Sequence, residues 1–323
     1  MSKDLHYYED KFSRLNVNRH RKRGVAPYKP ALLLAVIELI EQGLLTQNRV
    51  FISADLIATF IKYRDLLGPE SYQADLAQPF FYMRSDGFWH LKAQPGLEAV
   101  VSKGVLTTLK KLRDTVQYAY FDDELFSLLN DSTSRHRLIR ILVVTWFPDR
   151  NQEIAQLLKI NSFQDFQDRL REKGGAVYAV EELKDENKTF VRDAAFRKIV
   201  LRAYQYQCAF CGLKVDTSLN QNIVDGAHIK PFSEFRDDRI NNGLSLCKNH
   251  HWAFDRGWFS IEDDYTILVS NDLREESPHA KPMQEFQGER ILLPNQENYF
   301  PRSEALRWHR ENRFNRGEQL LTY

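Results

Sequence analysis

CAFC at residues 208–211 and LCKNHHWAFD at residues 246–255 together hold all three cysteines of this 323-residue chain, and the second stretch contains a pair of histidines. Cys208-x2-Cys211 and Cys247-x2-His250 read as two chelating pairs. A gap of two residues turns both side chains of a pair inward on one tight knuckle. Two knuckles offer four ligands at the corners of a tetrahedron, the coordination of a closed structural Zn²⁺ site. Buried structural cysteines that merely cluster would not explain why a histidine completes the set. A redox CxxC would leave Cys247 and His250 without a role, and three cysteines cannot build a disulfide framework. With four protein ligands no position stays open for chemistry, so the expected zinc is structural.

His251, the next residue, is then available for another task. Upstream lie VDGAHIKPF with His228 and NNGLSL with Asn242, in the order His–Asn–His. AHI-x-P, NGL-x-LC and H-x2-FD-x-G together resemble an HNH endonuclease module, and flanking zinc knuckles are also a feature of that family. The likeness covers about residues 190–270, and WHRENRF near the end resembles the subfamily's usual close. It implies a ββα-metal fold: a strand hairpin followed by a helix around one catalytic metal.

Phosphodiester hydrolysis needs an activated water, a cation on the phosphate and a proton for the leaving 3′ oxygen. Histidine can be neutral near pH 7 and accept a proton, which makes His228 the candidate general base. Asn242 cannot titrate; by the resemblance it hydrogen-bonds across the loop that aims His228. The resemblance also implies that His251 is a catalytic-metal ligand. Many HNH enzymes place an Asp directly before the first His, whereas this chain has Ala227. Asp255, one helical turn after His251, is the favoured substitute, with Asp225 the other candidate. Oxygen ligands with one imidazole suit Mg²⁺ or Mn²⁺, and Ni²⁺ or Co²⁺ are also accommodated.

The composition is that of a folded protein, rich in aromatics (21 Phe, 14 Tyr and 5 Trp), and its net charge of +1 by itself predicts no polyanion partner. The distribution of charge says more. Between Lys11 and Ile37 there is no Asp or Glu, while Lys11, Arg14, Arg19, Arg21, Lys22, Arg23 and Lys29 fall there. Such a single-signed run is either a solvated face or the footprint of nucleic acid. No apolar run nears the roughly 20 residues of a membrane span, and the charged N-terminus lacks a signal-peptide core. A soluble, cytoplasmic chain is expected.

The stretch RLNVNRHRKRGVAPYKPALLLAVIELI, with QPFFYMRSDGFWHL further on, is similar to the DNA sulfur-binding domain of restriction endonucleases that attack phosphorothioate-modified DNA. The likeness spans roughly residues 1–165. In that family a His often stands where this chain has Tyr28, and a Tyr often precedes the proline that here follows Gln78. A sulfur in place of a phosphate oxygen is larger, softer and a poorer acceptor, so its reader should offer an apolar cup beside cations. The resemblance implies that Pro79, Phe80 and Tyr82 line the cup while Arg19, Arg23, Tyr28 and Lys29 hold the backbone. Core packing is the ordinary role of Phe80, Phe81 and Phe88.

Helices are expected over ALLLAVIELIEQGLL, with Pro30 in its first turn and Gly43 at its end, and over SADLIATFIKYRDLLG, capped by Ser53. QPFFYMRSDGFWHLK suggests a strand–turn–strand with Ser85-Asp86-Gly87 as its turn. Further helices are expected in DDELFSLLND, SRHRLIRILVVTWF, VRDAAFRKIVLRAYQYQ and the tail, with a short strand pair in GWFSIEDDYTILVS. The whole reads as an α+β chain of two domains. A mostly helical sulfur-binding domain spans 1–165, a linker 166–189, and a zinc-stapled HNH domain with a helical tail 190–323. These readings imply a type IV restriction endonuclease serving antiviral defence and acting on double-stranded DNA. One HNH site cuts one strand, so double-strand breaks would require a homodimer or two visits. Two alternatives stand beside it: an HNH nuclease for another modified or specific sequence, and a non-catalytic DNA-binding protein.

Overall fold

The computed structural model describes residues 3–20, 24–68, 75–150, 154, 158–215, 222–276 and 281–315. The chain divides into two compact units, residues 1–165 with 183–191, and residues 166–182 with 192–323. The stretch read as a linker thus contributes its first part to the second unit and its last part to the first.

The first unit is mainly helical: α1 (Leu5–Ser13), α2 (Tyr28–Glu41), α3 (Ala54–Leu67), α4 (Ala77–Tyr82), α5 (Glu98–Lys103), α6 (Leu109–Thr115), α7 (Asp123–Asn130) and α8 (Ser132–Trp146). A two-residue pair, β1 (Arg19–His20) with β2 (Gly24–Val25), precedes α2, and a hairpin joins β3 (Trp89–Ala93) to β4 (Val116–Phe121). α2 is apolar on every side and buried from Tyr28 to Ile40, the central helix that α3, α7 and α8 pack around. It stops at Gly43, whose φ of 70° suits a residue without Cβ. Ser53 caps α3 by accepting from the Leu56 amide at 3.2 Å. Glu38, buried in α2, accepts from Lys62 Nζ and Tyr63 Oη at 2.6 Å each and ties α3 to it.

One expectation is overturned. QPFFY is not a strand: α4 runs over Ala77–Tyr82, a 3₁₀ turn follows over Met83–Asp86, and Gly87 (φ 84°) starts the chain into β3. β3 pairs instead with β4, Trp89 opposite Phe121. Two physical causes compete with the β-propensity of aromatics here. Pro79 has no N–H for a ladder but fits the first turn of a helix. Helical geometry also buries Phe80 and Phe81 together, where alternation would have exposed one of them.

The second unit is built from α9 (Ser162–Glu172, which begins in the first unit), α10 (Glu186–Ala203, likewise shared), β5 (Val224–His228), α11 (Phe232–Phe235), β6 (Gly243–Cys247), α12 (Lys248–Asp255), β7 (Phe259–Ile261), β8 (Ile267–Val269) and α13 (Ser303–Asn312). β5 and β6 form an antiparallel hairpin with His228 opposite Gly243 and Val224 opposite Cys247, and α12 follows without a break. α10 lies so close behind this hairpin that a Cβ on Gly226 would come within 2.8 Å of the Arg197 Cα, and one on Gly243 within 2.5 Å of Val200 Cγ2. The glycines therefore fix how tightly the strands seat on the helix. The core beneath joins Phe196, Val200, Phe210, Leu244, Leu246, Phe254 and Phe259. Each such side chain, fully buried, contributes about 1.5–3 kcal/mol.

Candidate functional site

Cys208, Cys211, Cys247 and His250 come together, one ligand atom from each lying within 4.8 Å of the others. Cys208 Sγ is 3.7 Å and Cys247 Sγ 3.1 Å from His250 Nδ1. Ligands at zinc bond lengths stand roughly 3.5–3.8 Å apart on a tetrahedron, so the donor set fits a structural metal. The first knuckle closes because Gly212 adopts φ 72° and its amide donates to the Cys208 carbonyl at 2.9 Å. The second closes because Cys247 caps α12 and places His250 in its first turn. Hydrogen bonding with Cys208 and Cys211 pulls the Cys247 thiol far below its ordinary range, while hydrogen bonding with Cys211 and Cys247 pushes Cys208 up. Burial opposes protonation of His250, yet Cys211 and Cys247 raise it to about 9. A bound metal ion would displace these shared protons. Phe210 packs on the His250 ring with centroids 4.2 Å apart.

On the other side of the hairpin, His228, Pro231, Phe232, His251, Asp255 and Arg313 line an open cleft of about 360 Å³. His228 ends β5 and stacks flat on Phe196 of α10, centroids 3.9 Å apart and planes 6° from parallel. Its Nε2 meets Asp238 Oδ1 at 2.8 Å. Asp238, almost fully buried, also takes Arg192 Nη1 on both oxygens at 3.0 and 2.9 Å. Asn242 is fully buried and bonds only to backbone: its Oδ1 accepts from Lys230 N at 3.0 Å, and its Nδ2 donates to the carbonyls of Lys230 at 3.1 Å and Asp237 at 2.9 Å. It shapes the loop between His228 and β6. Its saturated amide and complete burial place it away from the cleft.

His251 stands on α12 between two carboxylates. Its Nδ1 is 3.6 Å from Asp225 Oδ2 and its Nε2 3.7 Å from Asp255 Oδ2. Lys248 also pairs with Asp225, whereas Asp255 opens on the cleft. Arg313 reaches the cleft because the chain after α13 docks on Gly257. There φ is 68°, a Cβ would strike the Arg313 carbonyl at 1.9 Å, and the Asn315 amide donates to the Gly257 carbonyl at 3.0 Å.

The residues nominated in the first unit are placed differently. Arg23 lies outside the described residues, and of Arg19 only the backbone, in β1, is described. Tyr28 is buried in the first turn of α2. Lys29 is buried too, donating to Asp86 Oδ2 at 2.6 Å and Ser85 Oγ at 2.9 Å. Phe80 is a core residue: it meets Trp89 edge-on at 5.2 Å, and its carbonyl accepts from the Trp89 indole at 2.9 Å. Pro79 is buried beside it. Tyr82, at 42% exposure, is the one cup residue facing solvent.

Asp238, Arg192 and Phe196 hold His228, and sequence reasoning passed over all three. The available signal was the acidic pair in RDDRI, in the loop between His228 and Asn242. A carboxylate there has no role on a strand or helix but reaches back to the strand end across a tight loop.

Residues 208–262 match the HNH endonuclease family, a span that includes every candidate metal residue and every cleft residue named above except Arg313. Among solved structures the chain is similar to one titled "Modification dependent TagI restriction endonuclease", at 23% identity and a TM-score of 0.27 over 36% of this chain and 37% of that one. The chain therefore spans well under half of that enzyme's length. No curated relative matches the sequence. The C-terminal part carries an HNH endonuclease domain. No helix among the described residues is long and apolar enough to cross a membrane.

Proposed function

We propose that the chain is a metal-dependent DNA endonuclease that hydrolyses phosphodiester bonds near phosphorothioate linkages, as a cytoplasmic restriction enzyme of the type IV class. The observation that carries the catalytic half is the opening of His228, His251 and Asp255 on one cleft. His228 Nδ1 takes a proton from water as its oxygen attacks phosphorus. The bond to the 3′ oxygen breaks, and solvent supplies the proton to that oxygen. Arg313, on the cleft wall, faces the charge of the phosphate. A divalent ion, Mg²⁺ or Mn²⁺ first, would be held by His251 Nε2 with Asp255 and would supply positive charge at the scissile phosphate. Asp225, on the other ring nitrogen, then orients His251 as an outer partner. The Cys208–Cys211–Cys247–His250 set would hold zinc that clamps the hairpin to the start of the domain.

The sulfur half of the reading rests on the sequence resemblance of residues 1–165 and on Tyr82 standing exposed where the cup is expected. The burial of Pro79 and Phe80 and the buried Lys29–Asp86 pair favour a site narrower than a three-residue cup, with Tyr82 as its exposed apolar wall. The same burial favours, as a second reading, an HNH nuclease for a different modification or sequence. Matched plasmids with and without phosphorothioate linkages separate the two readings. The first expects cleavage of the modified plasmid alone, and equal cleavage of both selects the second. Linear product from a single encounter would point to a homodimer.

A further inference from the structure

We infer that Asp238, clamped by Arg192, is the positioning residue that keeps the His228 proton on Nε2 and so leaves Nδ1 as the basic nitrogen; this rests on His228 being the base. Imidazole has two nitrogens, and only the one without a proton can accept one from water. Which nitrogen that is depends on the partner of the other. His228 Nε2 lies 2.8 Å from Asp238 Oδ1. Because Arg192 donates to both Asp238 oxygens, the carboxylate faces His228 as an acceptor and calls for an N–H on Nε2. Nδ1 has no hydrogen-bond partner among the described residues, and the ring borders the cleft.

Three further features make this carboxylate rigid. The Asp238 amide donates to the Ala176 carbonyl at 2.8 Å, and the Ile240 amide to the Gly174 carbonyl at 3.0 Å, so the segment once read as a linker pins the loop. Gly175 (φ 103°) permits this approach, since a Cβ there would meet the Asp238 carbonyl at 2.3 Å. Arg192 itself lies over Phe232, its guanidinium carbon 3.3 Å from the ring centre. With Phe196 stacked beneath the imidazole, the ring can neither rotate nor tilt away from Asp238. When Nδ1 takes a proton, the imidazolium that results faces a fixed carboxylate and is stabilised in place, as in other His–Asp arrangements.

Asp238→Asn tests this with almost no change of shape. Arg192 would retain the amide oxygen, so the amide NH₂ would turn to Nε2 and force the His228 proton onto Nδ1. ¹⁵N-edited spectra of the full chain at about pH 8, where imidazole is neutral, should show the Nε2–H tautomer in the wild type and the Nδ1–H tautomer in the variant. The His228 signals are identified by their loss in His228→Ala. Nicking of a phosphorothioate plasmid with Mn²⁺ should fall about 10²–10⁴-fold, the range a positioned base contributes. A wild-type ring protonated on Nδ1 overturns the inference even if the variant fails to fold. Normal cutting by Asp238→Asn, with His228→Ala inactive, overturns the inference alone. Normal cutting by His228→Ala removes the base assignment and the inference with it.

Discussion

Residues 208–255 and residues 28–82 were both read from the sequence as sites, and the fold treats them differently. In the first region the four knuckle residues converge and His228, His251 and Asp255 open on one cleft. In the second, Tyr28, Lys29, Pro79 and Phe80 are buried, and of these five candidates Tyr82 alone faces solvent. The first set was chosen by spacing: chelation demands a two-residue gap and a fourth ligand, and core packing does not produce that pattern. The second rests on a motif resemblance without ligand spacing, and aromatic, proline and lysine side chains serve a core or a buried ion pair as readily as a ligand. Spacing that only a ligand requires is the stronger signal of a site.

The largest effect that would sharpen this contrast is loss of the knuckle metal. Structural zinc in small domains is worth about 10–16 kcal/mol. Cys208→Ser or chelation should therefore unfold the C-terminal unit while the first unit keeps its helical signal. Metal analysis of folded protein should give one zinc per chain; folded protein without zinc breaks the comparison on its stronger side.

Next in size is Lys29. If the buried pair with Asp86 is its role, Lys29→Ala leaves a carboxylate uncompensated and should cost about 3–5 kcal/mol. Urea unfolding would read that loss. A phosphate-contacting lysine would instead leave stability alone and flatten the salt dependence of DNA binding by about 0.9 in slope.

These two predictions mark what was legible. The knuckles and the helices at 28–41, 54–67, 123–146 and 303–312 follow from ligand spacing, caps and periodicity, and the strand hairpin and helix of the ββα core from the resemblance to HNH modules. QPFFY misled because its aromatics favour strands locally, while Pro79 and the double burial of Phe80 and Phe81 favour a helix only once the core exists. Asp238 was invisible for a related reason. Its partner Arg192 is 46 residues away, and the loop that brings it to His228 is fixed by the Gly174–Ala176 segment, which composition alone marks as a boundary.

His309 offers a smaller test of the same unit. It is buried in α13, stacked on Phe254 at 3.7 Å; Nε2–H donates to the Phe254 carbonyl at 3.0 Å, and Nδ1 meets Ser260 Oγ at 2.8 Å. Burial lowers it to about 4 from an unfolded value of 6.5. The unfolded chain therefore binds the extra proton between these values. Stability is complete above about pH 6.5 and is lost as pH falls toward 4, by up to about 3 kcal/mol. Urea midpoints of the wild type should drop across that window, and a His309→Gln variant should show a shallower drop. Asp237 adds a separate, lower window: burial opposes its ionisation, but Arg239 and Arg302 hold it below the usual carboxylate range.

The smallest expected effect is at Tyr82. An exposed tyrosine contributes little to stability, so Tyr82→Ala should fold normally. On the sulfur reading it should lose about 1–3 kcal/mol of preference for phosphorothioate duplex, about that of burying one apolar side chain, and keep its general DNA affinity. Unchanged preference would move the reader elsewhere in the first unit.

The central claim is that the cleft beside the zinc-type cluster cuts DNA with His228 as base. Its most direct measurement is single-turnover nicking of a phosphorothioate plasmid with Mn²⁺ by the wild type and by His228→Ala, with DNA binding measured in parallel. The account predicts unchanged binding and a rate about 10²–10⁴-fold lower in the variant. A variant that binds equally and cuts at the wild-type rate would contradict it.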